Sequence, residues 1–136
     1  MEYEFSLLIK PFSVNAYFYA SRKVKTQAAR AWEEEMKFLL EEHKQLAEFT
    51  PAHIKNGGDF TVYMTFIYPR NMFRNKVGDI SSKTMDLSNV EKPVLDMLFR
   101  ETMGIDDKHV TQLVSRKVAG DDFAIVIRLK LEARER

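Results

Sequence analysis

The stretch "MDLSNVEKPVLDMLF", residues 85–99, decides how this chain is read. Val90, Val94, Leu95 and Leu98 recur at helical spacing, and Asp86, Asn89, Glu91, Lys92 and Asp96 are set among them. Shortly afterwards "GIDDKHV", residues 104–110, adds the adjacent aspartates Asp106 and Asp107. Two readings stand open. In the first, Ser88 and Glu91 form a capping box, serine to the third amide and glutamate back to the cap. Asp86 then sits just outside the N-terminus, where the helix dipole favours negative charge. Gly104 closes the far end, and Pro93 strains the first turns by removing a donor. Lys92 simply pairs with Asp96, worth about 0.3–0.5 kcal/mol if exposed.

In the second reading the acids are a metal site. Asn89, Lys92 and Asp96 lie at i, i+3 and i+7 and share one helix face, which Asp86 enters and to which Asp107 returns after Gly104. Clustered carboxylates repel one another unless a cation neutralises them. Aspartates with no cysteine and little histidine suit a hard ion, Mg²⁺ or Mn²⁺, rather than zinc. Such an ion serves phosphoryl chemistry.

Outward from this helix the pattern is that of a small α/β protein. "EYEFSLLIKPF" alternates Tyr3, Phe5, Leu7 and Ile9 against polar neighbours, a strand ending at Pro11. Residues 11–25 are aromatic and basic without a period, and are read as a loop. From Thr26, a suitable N-cap, to about Phe49 a helical stripe runs through Ala29, Trp32, Met36, Leu39, Leu40, His43, Leu46 and Ala47. His43 beside that stripe reads as packing or helix-end charge rather than as a ligand. "FTVYMTFIYP" alternates again and stops at proline. Residues 70–84 are polar and basic, a loop. Two strands, "HVTQLVSRKV" and "FAIVIRLKL", follow the quoted helix, and the "AGDD" between them predicts a hairpin turn at Gly120. The order is β-α-β-α-β-β: one domain over residues 1–136, with a mixed sheet and two main helices.

Composition bounds the rest. A chain of 136 residues supports one core, and 45% hydrophobic with 30% charged residues is globular. The formal charge of +1 leaves a nucleic-acid binder dependent on local basic patches. The absence of cysteine excludes disulfides, thiolate zinc and cysteine nucleophiles, and fits a reducing cytosol. Apolar runs too short to span a bilayer and early acids at the N-terminus predict a soluble intracellular protein, with no membrane partner.

At the quoted residues the chain resembles the RusA family of Holliday junction resolvases, small dimeric, magnesium-dependent endonucleases of phage and prophage origin. The family pattern is Asp-x-Asp-Asn-x-x-Lys, then an aspartate with leucine on the same helix, then Asp-Asp before a hydrophobic residue. Here these are Asp86-Leu87-Ser88-Asn89-Val90-Glu91-Lys92, Asp96-Met97-Leu98 and Asp106-Asp107-Lys108-His109-Val110, with Lys117 matching a lysine late in the next strand. "KPFSVNAYFYASRKVK" resembles the family's opening loop through Pro11, Ser13, Asn15, Tyr17, Arg22 and Lys25. The family's second aspartate is Ser88 here, whose hydroxyl brings no charge.

The resemblance implies a homodimer that cuts branched DNA, a four-way junction, in the cytoplasm of a bacterial or phage-infected cell. It implies Asp86, Lys92 and Asp107 as catalytic residues. Asp86 and Asp107, helped by Asp96 and Asp106, would hold Mg²⁺ (Mn²⁺ as an alternative), and Lys92 would stabilise transition-state charge or orient the water. Asn15, Tyr17, Arg22, Lys25, Arg74, Lys76 and Lys117 are the expected DNA contacts. Lys23, Arg70 and Lys83 join them as loop cations, with Tyr17, Tyr19 and Phe73 interleaved. Phe73 is either a wedge for a junction's centre or core packing. The rival readings are a nuclease for flaps or forks, a catalytically weak binder of branched DNA, and a domain with solvated acids.

Overall fold

The computed structural model describes residues 1–19 and 23–133. Strand β1 (Glu2–Leu7) leads through a loop to helix α1 (Gln27–Leu40), which passes through a 3-10 turn into α2 (Leu46–Lys55). Strand β2 (Asp59–Pro69) is followed by a short helix α3 (Arg70–Phe73), then α4 (Leu87–Leu95), which continues as a π-helical segment, Asp96–Met103. Strands β3 (Val110–Gly120) and β4 (Ala124–Glu132) complete a four-stranded mixed sheet in the order β1-β4-β2-β3. The α/β class and the order of main elements are as the sequence predicts.

Alternation explains the sheet. Phe60, Val62, Met64, Phe66 and Tyr68 of β2 are buried, facing the same way as Phe5 and Leu7 of β1 and Ile125, Ile127 and Leu129 of β4. The helices lay Trp32, Met36, Leu40, Leu46, Val90, Val94 and Leu98 on this face. Each such side chain contributes about 1.5–3 kcal/mol when fully buried. Thr26 caps α1 as its position predicts, its hydroxyl accepting from the Ala29 amide at 3.1 Å. His43 is buried, stacked 4.1 Å from the Phe5 ring, with Nδ1 2.9 Å from the Tyr3 hydroxyl. It packs.

Two expectations are corrected. The single helix expected from Thr26 to about Phe49 is two: α1 stops at Leu40, a 3-10 turn intervenes, and α2 carries on to Lys55 through Pro51, with Leu46 and Thr50 buried. The predicted hairpin does not form either. β3 pairs with β2 in parallel, β4 pairs with β2 antiparallel, and β2 lies between them. The physical reason is that β2 is the most buried strand and takes a neighbour on each side, while β3, reached by a crossover through α4, is left at the edge. Residues 121–123 therefore arch over the end of β2, from Gly120 opposite Pro69 to Ala124 opposite Ile67. A Cβ at position 120 would lie 2.4 Å from Ile67 Cγ2, so glycine serves close approach rather than a hairpin turn.

The opposite face of the sheet carries Tyr63, Thr65, Val114, Arg116, Val126 and Arg128 around a shallow depression of about 390 Å³. The Arg128 guanidinium lies 3.9 Å from the centre of the Tyr63 ring.

Candidate functional site

The first turn of α4 sets the site. Met85 has φ 54° and ψ 154°, a conformation essentially reserved for glycine. The chain swings there into Asp86, which is the N-cap and makes no side-chain capping bond. The helix thus begins at Leu87, and the predicted capping box is not made. Ser88 is an exposed residue of the first turn, and Glu91 instead accepts from the Ser115 hydroxyl of β3 at 2.5 Å. The cause is the turn at Met85, which starts the helix two residues earlier than the serine pattern predicts.

Asp86 and Asn89 share a cleft of about 520 Å³ with Ser13, Asn15, Ser81 and Lys117. Thus Asn15 and Lys117, expected as DNA contacts, stand beside Asp86. The Lys117 ammonium donates to Thr84 Oγ1 and to the Met85 carbonyl, each at 3.0 Å.

Further along α4, Pro93 leaves the Asn89 carbonyl without its helical donor. At the end of α4 the Asp96 amide is shared between the Lys92 and Pro93 carbonyls, and only beyond it does the coil widen, where the Gly104 amide reaches back five residues to the Phe99 carbonyl. Gly104, left-handed at φ 69°, closes the segment as its position predicts. The returning chain brings in the second aspartate pair. Lys92 Nζ lies 2.9 Å from Asp96 Oδ1 and 2.8 Å from Asp107 Oδ2, so one ammonium joins the helix to the turn before β3. Hydrogen bonds to Asp107 and then Asp96 hold the Lys92 pKa above its ordinary value. Asp106 is exposed and caps the turn, its Oδ1 accepting from the Lys108 amide at 2.8 Å, which lowers its pKa.

Beside Lys92 and Asp96 a cavity of about 280 Å³ is also lined by Tyr17, Lys25, Glu33 and Arg100. Glu33 is the residue that sequence reasoning missed. The buried Tyr17 donates its hydroxyl to Glu33 Oε2 at 2.5 Å, and Lys25 Nζ reaches both carboxylate oxygens at 2.9 and 3.0 Å. Burial first, and Glu33 second, push the Tyr17 pKa well above its ordinary value. Burial would raise Glu33 as well, but hydrogen bonds from Tyr17 and Lys25 outweigh it and hold the carboxyl below its ordinary range. No spacing signals this triad, because its partners lie 8 and 16 residues upstream in a loop.

The remaining expected DNA residues are dispersed. Arg74 is exposed and donates to the Gly78 carbonyl at 2.9 Å; Lys76 is exposed in the same turn. Phe73, 9% exposed, packs in the core. Arg22 lies outside the described residues. Among the described residues, no three acids or histidines converge closely enough to hold a metal ion as they stand. In place of such a cluster, Lys92 neutralises Asp96 and Asp107, which relieves their repulsion.

A search of curated proteins returned no match. A family model described as endodeoxyribonuclease RusA matches residues 9–130, nearly the whole chain and both groups of aspartates.

Proposed function

The chain belongs to the RusA family of endodeoxyribonucleases, and from that premise we propose that it resolves four-way DNA junctions, a homodimer making paired nicks with Mg²⁺ or Mn²⁺. The observation that carries this reading is the meeting of Asp96 and Asp107 on Lys92, along the helix whose first turn presents Asp86. An all-oxygen donor set suits a hard cation, and two of these carboxylates already flank one positive charge. Asp86, Asp96, Asp106 and Asp107 are the residues that would hold the ion, which would have to draw them together, since no three of them converge as they stand. When bound, it polarises the scissile phosphate and lowers the pKa of water.

The chain's own residues do the rest. Lys92 is protonated at neutral pH as an ordinary lysine is, and both aspartates hold its pKa higher still. Turned from Asp107 towards a phosphate oxygen, its charge stabilises the extra negative charge of the transition state. Asn89, in the cleft with Asp86, offers an amide donor to the same phosphate. In-line attack by water leaves 5′-phosphate and 3′-hydroxyl ends. Arg74, Lys76 and the loop around Lys23 supply charge to the DNA backbone. Two-fold pairing suits two symmetric cuts, and an uncovered sheet face with Tyr63, Val114 and Val126 supports pairing. No helix among the described residues is long and apolar enough to cross a membrane.

A second reading is a weakly catalytic binder of branched DNA. It is favoured by Ser88, a neutral side chain where the family pattern has its second aspartate. Labelled four-way junctions, flaps, forks and linear duplexes, incubated with Mg²⁺, separate the readings. Symmetric nicks in the junction with little cutting of the others are expected. Equal cutting of flaps and forks contradicts the junction assignment, and binding without cutting favours the second reading.

A further inference from the structure

Lys117 has contacts that a phosphate-binding lysine does not need. It is half-buried near the end of β3, and its side chain points into the helical layer rather than along the exposed edge. Its partners are neutral oxygens, the Thr84 hydroxyl and the Met85 carbonyl, each at 3.0 Å. Thr84 is fully buried and donates its own hydroxyl proton to the Ser81 carbonyl at 2.7 Å, which turns an oxygen lone pair towards the ammonium. Both acceptors immediately precede Asp86. The φ 54° turn at Met85, the one non-glycine residue with positive φ among those described, lies between the two acceptors, so the ammonium spans it. Such a conformation persists only where its surroundings hold it.

We propose that Lys117 is a positioning residue: by clamping the Met85 carbonyl it holds the strained turn that aims Asp86 into the cleft, and it does not act as a DNA contact. Part of this rests on the reading of Asp86 as a working carboxylate. The physical content is separate, however. A carbonyl fixed by an ammonium cannot rotate away, so the peptide joining Met85 to Asp86 keeps its orientation. Two of the three ammonium protons are committed to these oxygens, which leaves one for any further acceptor.

The test is a cycle of Lys117→Met, Met85→Gly and the two together, with Lys117→Arg beside it. Each is measured by junction cleavage in Mg²⁺, by junction affinity over a salt series, and by thermal unfolding. Lys117→Met should slow cleavage by about ten-fold, the scale of releasing one strained residue, while affinity and salt slope stay at wild-type values. Adding Met85→Gly should recover most of the lost rate and of the lost unfolding temperature, because glycine takes the turn unaided. Lys117→Arg, which keeps the charge but not the compact geometry, should fall between. Weaker binding with a salt slope flattened by about 0.9, and no recovery with glycine, would make Lys117 a phosphate contact and overturn the proposal. If the wild-type chain cuts no junction, the junction reading fails. The clamp is then still decided by unfolding: rescue by glycine supports it, and strict additivity of the two substitutions overturns it.

Discussion

At its start, α4 holds Asp86 on a turn that glycine alone adopts freely, with no capping bond to the carboxylate. Further along the same helix, Asp96 and Asp107 are drawn onto the Lys92 ammonium at 2.9 and 2.8 Å. One end therefore offers an acid in a strained setting, and the other offers acids already neutralised. Like charges gathered on one helix must be managed by backbone geometry or by a cation, and α4 uses both devices. On the proposed reading the difference also divides the labour of a phosphodiesterase: a carboxylate for a hard ion, and a lysine that becomes available when its aspartates are otherwise engaged.

Removing a charge at either end is expected to have the largest effect. Asp86→Asn and Asp107→Asn should each abolish junction cleavage while leaving junction binding intact or tighter, since a charge that repels phosphate is gone. Lys92→Met should lower cleavage by about a hundred- to a thousand-fold, the usual loss when one group stabilising the transition state is removed. Cleavage at wild-type rates in both aspartate variants would break the comparison at its root. Gel assays of cleavage and binding, run side by side, read all three.

Ser88→Asp sharpens the comparison by restoring the family's second aspartate beside Asp86. It should fold normally, bind Mg²⁺ at least as well as the wild type, and cleave as fast or faster. Because Ser88 lies in the first turn and not at the cap, Ser88→Ala should shift stability by no more than about 0.5 kcal/mol. A folded Ser88→Asp chain that loses Mg²⁺ binding in calorimetry would mean that another acid already fills that space.

A third cluster, beside Lys92, predicts a pH dependence. The Glu33 carboxyl is held below its ordinary value of 4.5, so its contribution to stability is fully present above that value and is lost as pH falls through the folded pKa. Glu33→Gln should therefore cost about 1 kcal/mol at neutral pH, a figure reduced by the partial exposure of Lys25, and the gap to wild type should close in acid. Urea unfolding at neutral pH and at about pH 3 measures it. The smallest effects belong to the dispersed cations. Replacing Arg74 or Lys76 should flatten the salt slope of junction binding by about 0.9 each if they meet phosphates. Unchanged slopes would move the DNA surface elsewhere.

What the sequence made legible was local. Alternation in residues 2–9 and 60–68 named the buried faces of β1 and β2, and the stripe through Trp32, Met36 and Leu40 named that of α1. The i, i+3, i+7 spacing put Lys92 beside Asp96, and Gly104 gave the reversal that returns Asp107 to the same lysine. What escaped was non-local or against type. Nothing in "AGDD" says that β2 will lie between the strands it joins. A methionine gives no sign of a positive-φ turn, so the residues alone point to Ser88 as the cap of α4, where the structure has Asp86. Glu33 looked like one of several solvated acids, because its partners come from a loop without a period.

Cleavage of a labelled four-way junction by the wild-type chain, with Mg²⁺ and with EDTA, tests the central claim most directly. The account predicts paired nicks with 5′-phosphate ends in Mg²⁺ and an uncut, still bound junction in EDTA. Cutting that persists in EDTA, or a junction neither bound nor cut in Mg²⁺, would contradict it.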